Sequence, residues 1–254
     1  MTNDNIKIPA TGERRMDAGW PAQLLLPGQA AAPDGPVDMF MMYLMHFGFR
    51  RDLTAFAAAA AATPIADQDT WTALAKRWDL FAQILHHHHS GEDTGLWPLL
   101  MERTDDAGRE VLEAMEAEHG EIDPILQACE AGFAKLAAGA DEDTRNALVV
   151  RLCAGKESLG RHLAHEETEA IAIIQQVMSD DDWQRLEAEH FKPTMTLALL
   201  RSAIRWAIPW LLQELPPAGR AKAFAAAAPP QHVVWWLTRG GFARRERRAF
   251  RYLA

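Results

Sequence analysis

Apolar side chains recur at intervals of three and four residues along four long segments of the chain. This spacing places the apolar side chains on one face of an α-helix. The segments span residues 37–62, 67–97, 104–138 and 141–178, and the breaks between them are only a few residues long. Because short loops join antiparallel neighbours, the pattern predicts an all-α fold, an antiparallel up-down-up-down four-helix bundle over residues 37–178.

The flanking regions differ from the predicted bundle. Residues 1–36 are polar and rich in proline and glycine, which predicts an irregular N-terminal arm. Residues 179–254 predict a helical C-terminal extension that begins with the helix-start signal Ser179-Asp180. In it, an apolar helix over residues 194–215 is expected to pack on the bundle. Pro216-Pro217, Pro229-Pro230 and Gly240-Gly241 are expected to divide the remainder into short helices.

Charge is distributed unevenly along the 254 residues. Residues 1–191 carry 33 acidic and 15 basic side chains, whereas residues 192–254 carry 2 acidic and 11 basic ones. The basic tail is therefore expected to dock on the acidic bundle or, as the weaker alternative, on an acidic partner protein. No recognised nucleic-acid-binding module accompanies these basic residues, so we expect no nucleic-acid partner.

We expect a cytoplasmic protein without a membrane span. The N-terminal residues contain no apolar signal-peptide region, and the two cysteines, Cys129 and Cys153, suggest a reducing compartment. Both cysteines are expected to be buried as small apolar residues. Arg201 and Arg205 interrupt the apolar helix over residues 194–215, which argues against a span and leaves a membrane-surface helix as the minority interpretation.

A histidine lies on the apolar stripe of each helix in the predicted bundle. A single histidine in this position is more often a core residue bonded to a neighbour than a metal ligand. Two of the four are followed at i+4 by a glutamate on the same helix face. All four lie at comparable distances from helix ends, so the bundle would bring them to one level. The shared level favours a metal site with six ligands: His46, His88, Glu92, His119, His162 and Glu166.

Two further residues are candidate ligands. His89 lies on the flank of its helix stripe, and Asp123 follows His119 by four residues, although a solvated position is expected for it. His86 and His87, in the same histidine run, are expected to project away from the site. His165 is expected to lie outside the ligand set.

The candidate donors are imidazoles and carboxylates without thiolates, which suits iron, manganese or zinc. Six ligands exceed the needs of one tetrahedral zinc ion but suit two metal ions bridged by two glutamates, with room for an exogenous ligand. The predicted apolar walls would exclude water from that ligand: Met42, Phe49, Leu85, Trp97 and Ile122. O2, peroxide or NO chemistry is therefore expected.

Other helical and hydrolytic designs are disfavoured. Ferritin-like di-iron proteins use Glu-x-x-His, whereas this chain has His-x-x-x-Glu. No His-Glu-x-x-His occurs, since the residues following His165 lack the second histidine. No glycine-rich phosphate loop and no Ser/His/Asp set stands out.

The residues carrying these features resemble the hemerythrin-like (HHE cation-binding) family over roughly residues 37–178. The matching segments are His46 with Phe49-Arg50-Arg51-Asp52-Leu53, His88-His89-Ser90-Gly91-Glu92-Asp93, Leu96-Trp97-Pro98, Glu118-His119, and His162-Leu163-Ala164-His165-Glu166-Glu167. The resemblance implies an antiparallel four-helix bundle that holds a non-haem di-iron centre. Members variously bind O2 reversibly, sense oxygen, redox state or iron, repair iron centres, or turn over peroxide.

The chain departs from the respiratory members of that family. Asp123 stands where they carry a second histidine on the third helix, and Glu166 replaces an aspartate at a longer spacing. The resemblance thus implies a histidine-poor metal on the His119 side, with Asp123 or His89 substituting. These departures favour redox or sensory chemistry over simple O2 carriage.

The expected function is that of a non-haem di-iron binding protein that binds or senses O2, NO, peroxide or iron. Its cofactor would be two iron ions joined by an oxo or hydroxo bridge, with manganese and zinc as alternatives. A di-iron oxidoreductase that consumes peroxide or O2 is the alternative function. A third possibility is a scaffold that has lost its metal, but the retained ligand set argues against it.

Overall fold

The computed structural model describes residues 19–191 and 206–253. Residues 1–18 of the predicted arm and residues 194–205 of the predicted apolar helix lie outside the described residues. The described chain is all-helical and contains no strand. Its α-helices are α1 Phe40–Ala62, α2 Gln68–Gly91, α3 Trp97–Met101, α4 Asp106–Ala137, α5 Glu142–His165, α6 Ile171–Val177, α7 Asp180–Leu186, α8 206–212, α9 Pro217–Ala226 and α10 Pro229–Ala249.

Aspartate side chains start the long helices after α1. Asp67, Asp105 and Asp141 precede α2, α4 and α5, and each accepts a hydrogen bond from a backbone N–H in the first turn. Such a bond satisfies one of the donors that every helix start leaves unpaired. Helices α2, α4 and α5 therefore each begin at an aspartate cap, whereas residues 19–39 before α1 contain turns and bends but no helix.

The four long helices form a closed set of contacts. Helix α1 packs against α2 and α5, and α4 packs against the same two helices. Their buried side chains form two separate apolar clusters. We call the cluster that contains Phe49, Leu85, Ile122 and Leu159 the lower core, and the one that contains Met42, Leu96, Met115 and Ala170 the upper core.

The four stripe histidines lie between these two cores. Along α1 the order is Met42 of the upper core, His46, then Phe49 of the lower core. Along α2 the lower core comes before the histidine and the upper core after it. The order is upper to lower along α4 and lower to upper along α5. The fold therefore encloses a layer of polar side chains between two apolar layers.

Two π-helical turns interrupt the long helices beside this polar layer. The first turn, Glu92–Leu96, follows α2, and the second, Glu166–Ala170, follows α5. Each begins at a glutamate that follows a stripe histidine by four residues. Because a π turn holds one extra residue, it shifts the buried face by one position. Leu100 is buried where the α-helical pattern predicts Leu99, and Ile174 is buried where it predicts Ile173.

The shift in register predicts that substitutions at Leu100 and Leu99 have different effects on stability. We expect Leu100→Ala to lower the free energy of unfolding by about 2–5 kcal/mol, because it opens a cavity at a fully buried position. Leu99→Ala is the matched control on the neighbouring, half-buried residue and should cost about 1 kcal/mol or less. Urea unfolding measures both values. Equal costs, or a larger cost for Leu99→Ala, would contradict the shifted register.

The C-terminal extension lies against the long helices. Helix α10 contacts α2 and runs without interruption through Gly240-Gly241, so the prediction of a break there is wrong. Two glycines cost a helix about 2 kcal/mol together, but the side chains of Phe242 and Ala249, which follow the glycines, are buried in the lower core and hold this part of the helix in place.

Buried charges join the extension to the long helices. Asp52 of α1 accepts hydrogen bonds from the guanidinium of Arg77, at 2.6 Å, and from the indole of Trp210, at 2.7 Å. Arg77 also donates to Glu246 of α10 at 2.7 Å, and its guanidinium lies 4.9 Å from the ring centre of Trp206. These partners come from α1, α2, α8 and α10, so one network connects the extension to the body.

Among residues 19–191 and 206–253, none of the helices combines the length and the apolar character that a membrane crossing requires.

Cys129 is buried as predicted, whereas Cys153 is exposed, which corrects the prediction for that residue. Cys153 follows Leu152 in α5 and lies off the buried stripe, so it faces away from the core.

Candidate metal centre

Four side chains from two long helices and the two π turns converge in a first group. These are His46 of α1, His88 of α2, Glu92 and Glu166, all buried. One donor atom from each lies within 4.8 Å of the others. The imidazole of His46 lies 5.4 Å from that of His88, edge to face. This spacing suits a single metal ion held by two imidazoles and two carboxylates.

Three histidines form a second group beside the first. His89 of α2, His119 of α4 and His162 of α5 are buried, and their donor nitrogens also lie within 4.8 Å of one another. The Nε2 atoms of His119 and His162 are 3.1 Å apart, and the ring of His89 stacks on that of His119 at 3.9 Å. The structure thus brings His89 into the polar layer, although its stripe position placed it on a flank.

The two glutamates lie between the groups. Glu92 Oε1 is 3.1 Å from His88 Nε2 in the first group, and Glu92 Oε2 is 3.6 Å from His119 Nε2 in the second. Glu166 Oε2 lies 3.2 Å from His46 Nε2 and 3.9 Å from His162 Nε2. Each carboxylate therefore faces one histidine of each group, which is the arrangement that a carboxylate bridge between two metal ions requires.

Most donor atoms of this layer have no hydrogen-bond partner in the protein. Both oxygens of Glu92 and of Glu166 are buried without a hydrogen bond, as are Nε2 of His46, Nε2 of His88 and both ring nitrogens of His89. Unpaired carboxylates are among the most costly groups to bury. Bound metal cations would satisfy the carboxylate oxygens, the two Nε2 atoms and one ring nitrogen of His89 at once. The residues present therefore fit metal ions that favour nitrogen and oxygen donors.

Acidic side chains hold three of the histidines by their other ring nitrogen. Nδ1 of His46, His119 and His162 lies within 2.9 Å of a carboxylate oxygen of Glu167, Asp93 and Glu118, respectively. A carboxylate on Nδ1 fixes the ring orientation and leaves Nε2 for a metal. The stripe pattern did not identify these three acids. Each is adjacent in sequence to a candidate ligand, which is the signal that could have found them.

Glu167 is itself held firmly. Arg50 of α1 donates two hydrogen bonds to it, at 2.6 and 2.9 Å, and the backbone N–H of Ala30 donates a third at 2.7 Å. Residues of the segment before α1 thereby reach the polar layer indirectly. The bidentate Arg50 contact restricts the orientation of Glu167 and, through it, that of His46.

Burial and neighbouring charges shift the pKa values of the site in opposite directions. Burial, and then the charge of Glu166, raises the pKa of Glu92 well above its usual value. Burial lowers the pKa of His88 and His89, so both imidazoles are neutral with lone pairs available for a metal. Burial also opposes the protonated form of His46, but Glu166 and Glu167 outweigh it and raise the pKa of His46 to about 9. Metal binding is therefore expected to release protons.

Glu167→Gln should destabilise the protein in a pH-dependent way. Burial would raise the pKa of Glu167, but hydrogen bonds from His46 and Arg50 outweigh it and lower the pKa below 4.5. Because the folded-state pKa is lowered, the ionised carboxylate stabilises the fold above about pH 4.5, and this contribution is lost as the pH falls further. We expect Glu167→Gln to cost about 2–3 kcal/mol at pH 7.

Urea unfolding of the metal-free proteins from pH 7 downward measures this effect without a contribution from metal release. The difference between wild type and Glu167→Gln should shrink below about pH 4.5. Glu169→Gln, two residues away and half-exposed, is the control and should stay close to wild type. A constant difference at every pH would contradict the assigned charge interaction.

The remaining candidates lie outside both groups. Asp123 is exposed on α4, so among the described residues it belongs to neither cluster of donors. His86 and His87 are exposed, and His87 Nε2 lies 3.0 Å from the backbone oxygen of Phe191. His165 is partly buried, and its Nδ1 lies 2.9 Å from Glu118, the acid that also contacts His162.

Comparison with known proteins identifies the family. The family model described as the hemerythrin HHE cation binding domain matches residues 40–174. The matched region includes α1, α2, α4 and α5 together with both π turns. Searches of curated proteins and of solved structures returned no match. The resemblance seen in the sequence is confirmed by the family model, which spans more than half of the 254 residues, and the chain belongs to the hemerythrin HHE cation-binding family.

Proposed function

We propose that the chain is a non-haem di-iron binding protein of hemerythrin type that binds or senses O2, NO, peroxide or iron. The observation that supports this most strongly is the position of Glu92 and Glu166, each between one histidine of the first group and one of the second. The proposed ligands are His46, His88, Glu92, His89, His119, His162 and Glu166. Asp123 is left out of this set because its side chain is exposed.

Two metal ions account for the donors better than one does. The seven residues fall into two groups, and the two unpaired carboxylates offer four oxygens to be shared between them. Iron is proposed because the family is a cation-binding one and the donors are imidazole and carboxylate, with manganese and zinc as alternatives. When bound, iron would supply reversible redox chemistry and an open position for a small exogenous ligand. Glu167, Asp93 and Glu118 would keep the imidazoles oriented toward it.

The fold is proposed to be an antiparallel up-down-up-down bundle over residues 37–178. The supporting observation is the order of the two cores along the helices. Helices α1 and α4 run from the upper core to the lower core, whereas α2 and α5 run from the lower core to the upper core. Residues 1–36 and 179–254 are accordingly proposed to be appendages to this bundle. Location in the cytoplasm stays a prediction.

A small apolar ligand is consistent with the surroundings of His88. A cavity of about 210 Å³ borders this histidine, and its walls consist mostly of methionine and aromatic side chains: Met41, Met42, Met45, His87, Trp183, Glu187 and Phe191. Phe49 covers another side of the His88 ring at 5.2 Å. Apolar walls favour uncharged small molecules such as O2 and NO over hydrated ions.

One observation favours the alternative, an oxidoreductase that consumes peroxide or O2. Glu118 contacts His162 in the polar layer at 2.8 Å and His165 near the surface at 2.9 Å. His165 is about one-quarter exposed. Reduction of peroxide or O2 consumes protons, and this chain of groups connects solvent with the site.

Metal analysis combined with optical spectra separates the two functions. The spectra would be recorded for anaerobic, aerated and peroxide-treated protein. A stable oxygenated form that oxidises slowly supports binding or sensing. Rapid peroxide consumption that is lost in Glu92→Ala and Glu166→Ala supports the oxidoreductase. A protein that stays metal-free after expression in excess iron would contradict both.

A further inference from the structure

Three large apolar side chains are exposed together on α10. Val233, Trp236 and Leu237 are 57%, 62% and 64% exposed, and they lie three and four residues apart on one helix face. Large apolar residues exposed singly are common on protein surfaces, whereas grouped ones mark surfaces that contact a partner. This apolar face belongs to the extension, outside the residues matched by the family model.

The same face continues into arginine. Successive steps of three and four residues lead from Leu237 through Gly240 to Arg244 and Arg247 within α10, and Arg251 follows in the turn after the helix. All three arginines are exposed. Arg251 approaches Asp67 at 3.4 Å, so the far end of the row is partly neutralised, whereas Arg244 lies closer to the apolar residues. The face is therefore apolar in its first half and cationic in its second.

No exposed acid interrupts this surface within α9 and α10. The acidic side chain of these two helices is Glu246, which is buried against Arg77 on the opposite face of α10. Every other charged residue in them is lysine or arginine. Phe242 and Ala249 are also buried on the opposite face, which packs on the lower core. The apolar and cationic face of α10 is therefore exposed to solvent.

We propose that this face of α10 docks the protein on an anionic lipid bilayer. A tryptophan and two aliphatic side chains match the boundary between headgroups and acyl chains, and the arginines match lipid phosphates. Nucleic acid would use the arginines but not the aliphatic side chains. Charges on the acidic body are screened beyond a Debye length of about 8 Å, so the bilayer responds mainly to the cationic face nearest to it. The proposal is independent of the metal function.

Vesicle flotation with the full chain tests the proposal. The vesicles are pure phosphatidylcholine or an equal mixture of phosphatidylcholine and phosphatidylglycerol. We expect binding to the mixed vesicles only, and loss of that binding when the ionic strength rises from about 0.1 M to about 1 M. Trp236→Ser/Leu237→Ser should lower the partition constant at least about tenfold. Arg244→Gln/Arg247→Gln should lower it about fivefold for each arginine removed.

Val150→Ser/Arg151→Gln is the matched control. It removes one exposed apolar residue and one exposed arginine from α5, and it should bind as wild type does. Because all substituted residues are exposed, unchanged thermal unfolding should accompany each variant. Absence of binding to the mixed vesicles, equal binding by wild type and the Trp236/Leu237 variant, or equal binding to neutral vesicles would each overturn the proposal. Soluble polyglutamate provides the last arm: arginine-dependent binding to it that is stronger than binding to vesicles identifies an acidic protein partner instead.

Discussion

Glu92→Ala and Glu166→Ala are each expected to lower the iron content from about two ions per chain to less than one. Each carboxylate faces a histidine of both groups, so removing one glutamate would take a donor from both of the proposed metal ions. It also leaves the remaining carboxylate as the only anion between them. The loss should therefore exceed the loss caused by removing any single histidine of either group.

Two neighbouring acidic residues, Asp93 and Glu169, provide control variants for the two glutamates. Asp93→Ala removes the acid that orients His119 but no proposed ligand, so it should weaken metal binding about 10- to 100-fold without changing the number of sites. Glu169→Ala, on the half-exposed side of the second π turn, should leave iron content unchanged. Iron is measured by elemental analysis after anaerobic reconstitution. Loss of one ion alone in Glu92→Ala or Glu166→Ala would contradict a shared carboxylate.

Asp52→Ala is expected to lower the free energy of unfolding by about 3–5 kcal/mol. Asp52 accepts hydrogen bonds from Arg77 and from the indole of Trp210, both of which are buried. Without it, Glu246 is the one anionic partner that the Arg77 guanidinium keeps among the described residues, and the Trp210 N–H loses its hydrogen-bond acceptor. A buried charge that loses a partner costs far more than an exposed pair contributes.

Asp69→Ala is the matched control for Asp52→Ala. Asp69 is exposed and lies 3.8 Å from Arg248, so its removal should cost about 0.5 kcal/mol or less. Urea unfolding measures both variants, and iron content should remain unchanged in both. If Asp52→Ala costs no more than Asp69→Ala, the buried network does not hold the extension to the body.

The helical periodicity carried most of the information about the site. A histidine or glutamate that occupies a position in the apolar stripe of a helix is expected to face the interior. The burial of six residues could therefore be predicted from spacing: His46, His88, Glu92, His119, His162 and Glu166. His89 could not be assigned by the same reasoning, because its position on the flank becomes interior only when a second helix packs beside it. The stacked ring of His119 on α4 provides that neighbour.

Features that depend on departures from ideal helices were not predictable. The π turns at Glu92 and Glu166 add one residue each, and no propensity distinguishes them from α-helix. The prediction of a break at Gly240 failed because tertiary packing outweighed the local preference. The charge count predicted that the basic tail approaches the acidic helices. The network that joins the extension to these helices uses Asp52 and Arg77. Both residues are buried, and a charge count cannot detect burial.

Iron stoichiometry together with Mössbauer spectroscopy of the wild-type protein tests the proposed di-iron centre most directly. The protein would be reconstituted anaerobically with iron, freed of excess metal and then exposed to air. We expect two iron ions per chain, and spectra of a magnetically coupled ferric pair, because seven donor residues, five histidines and two glutamates, surround one shared space. One isolated iron ion per chain, or none, would contradict the proposal.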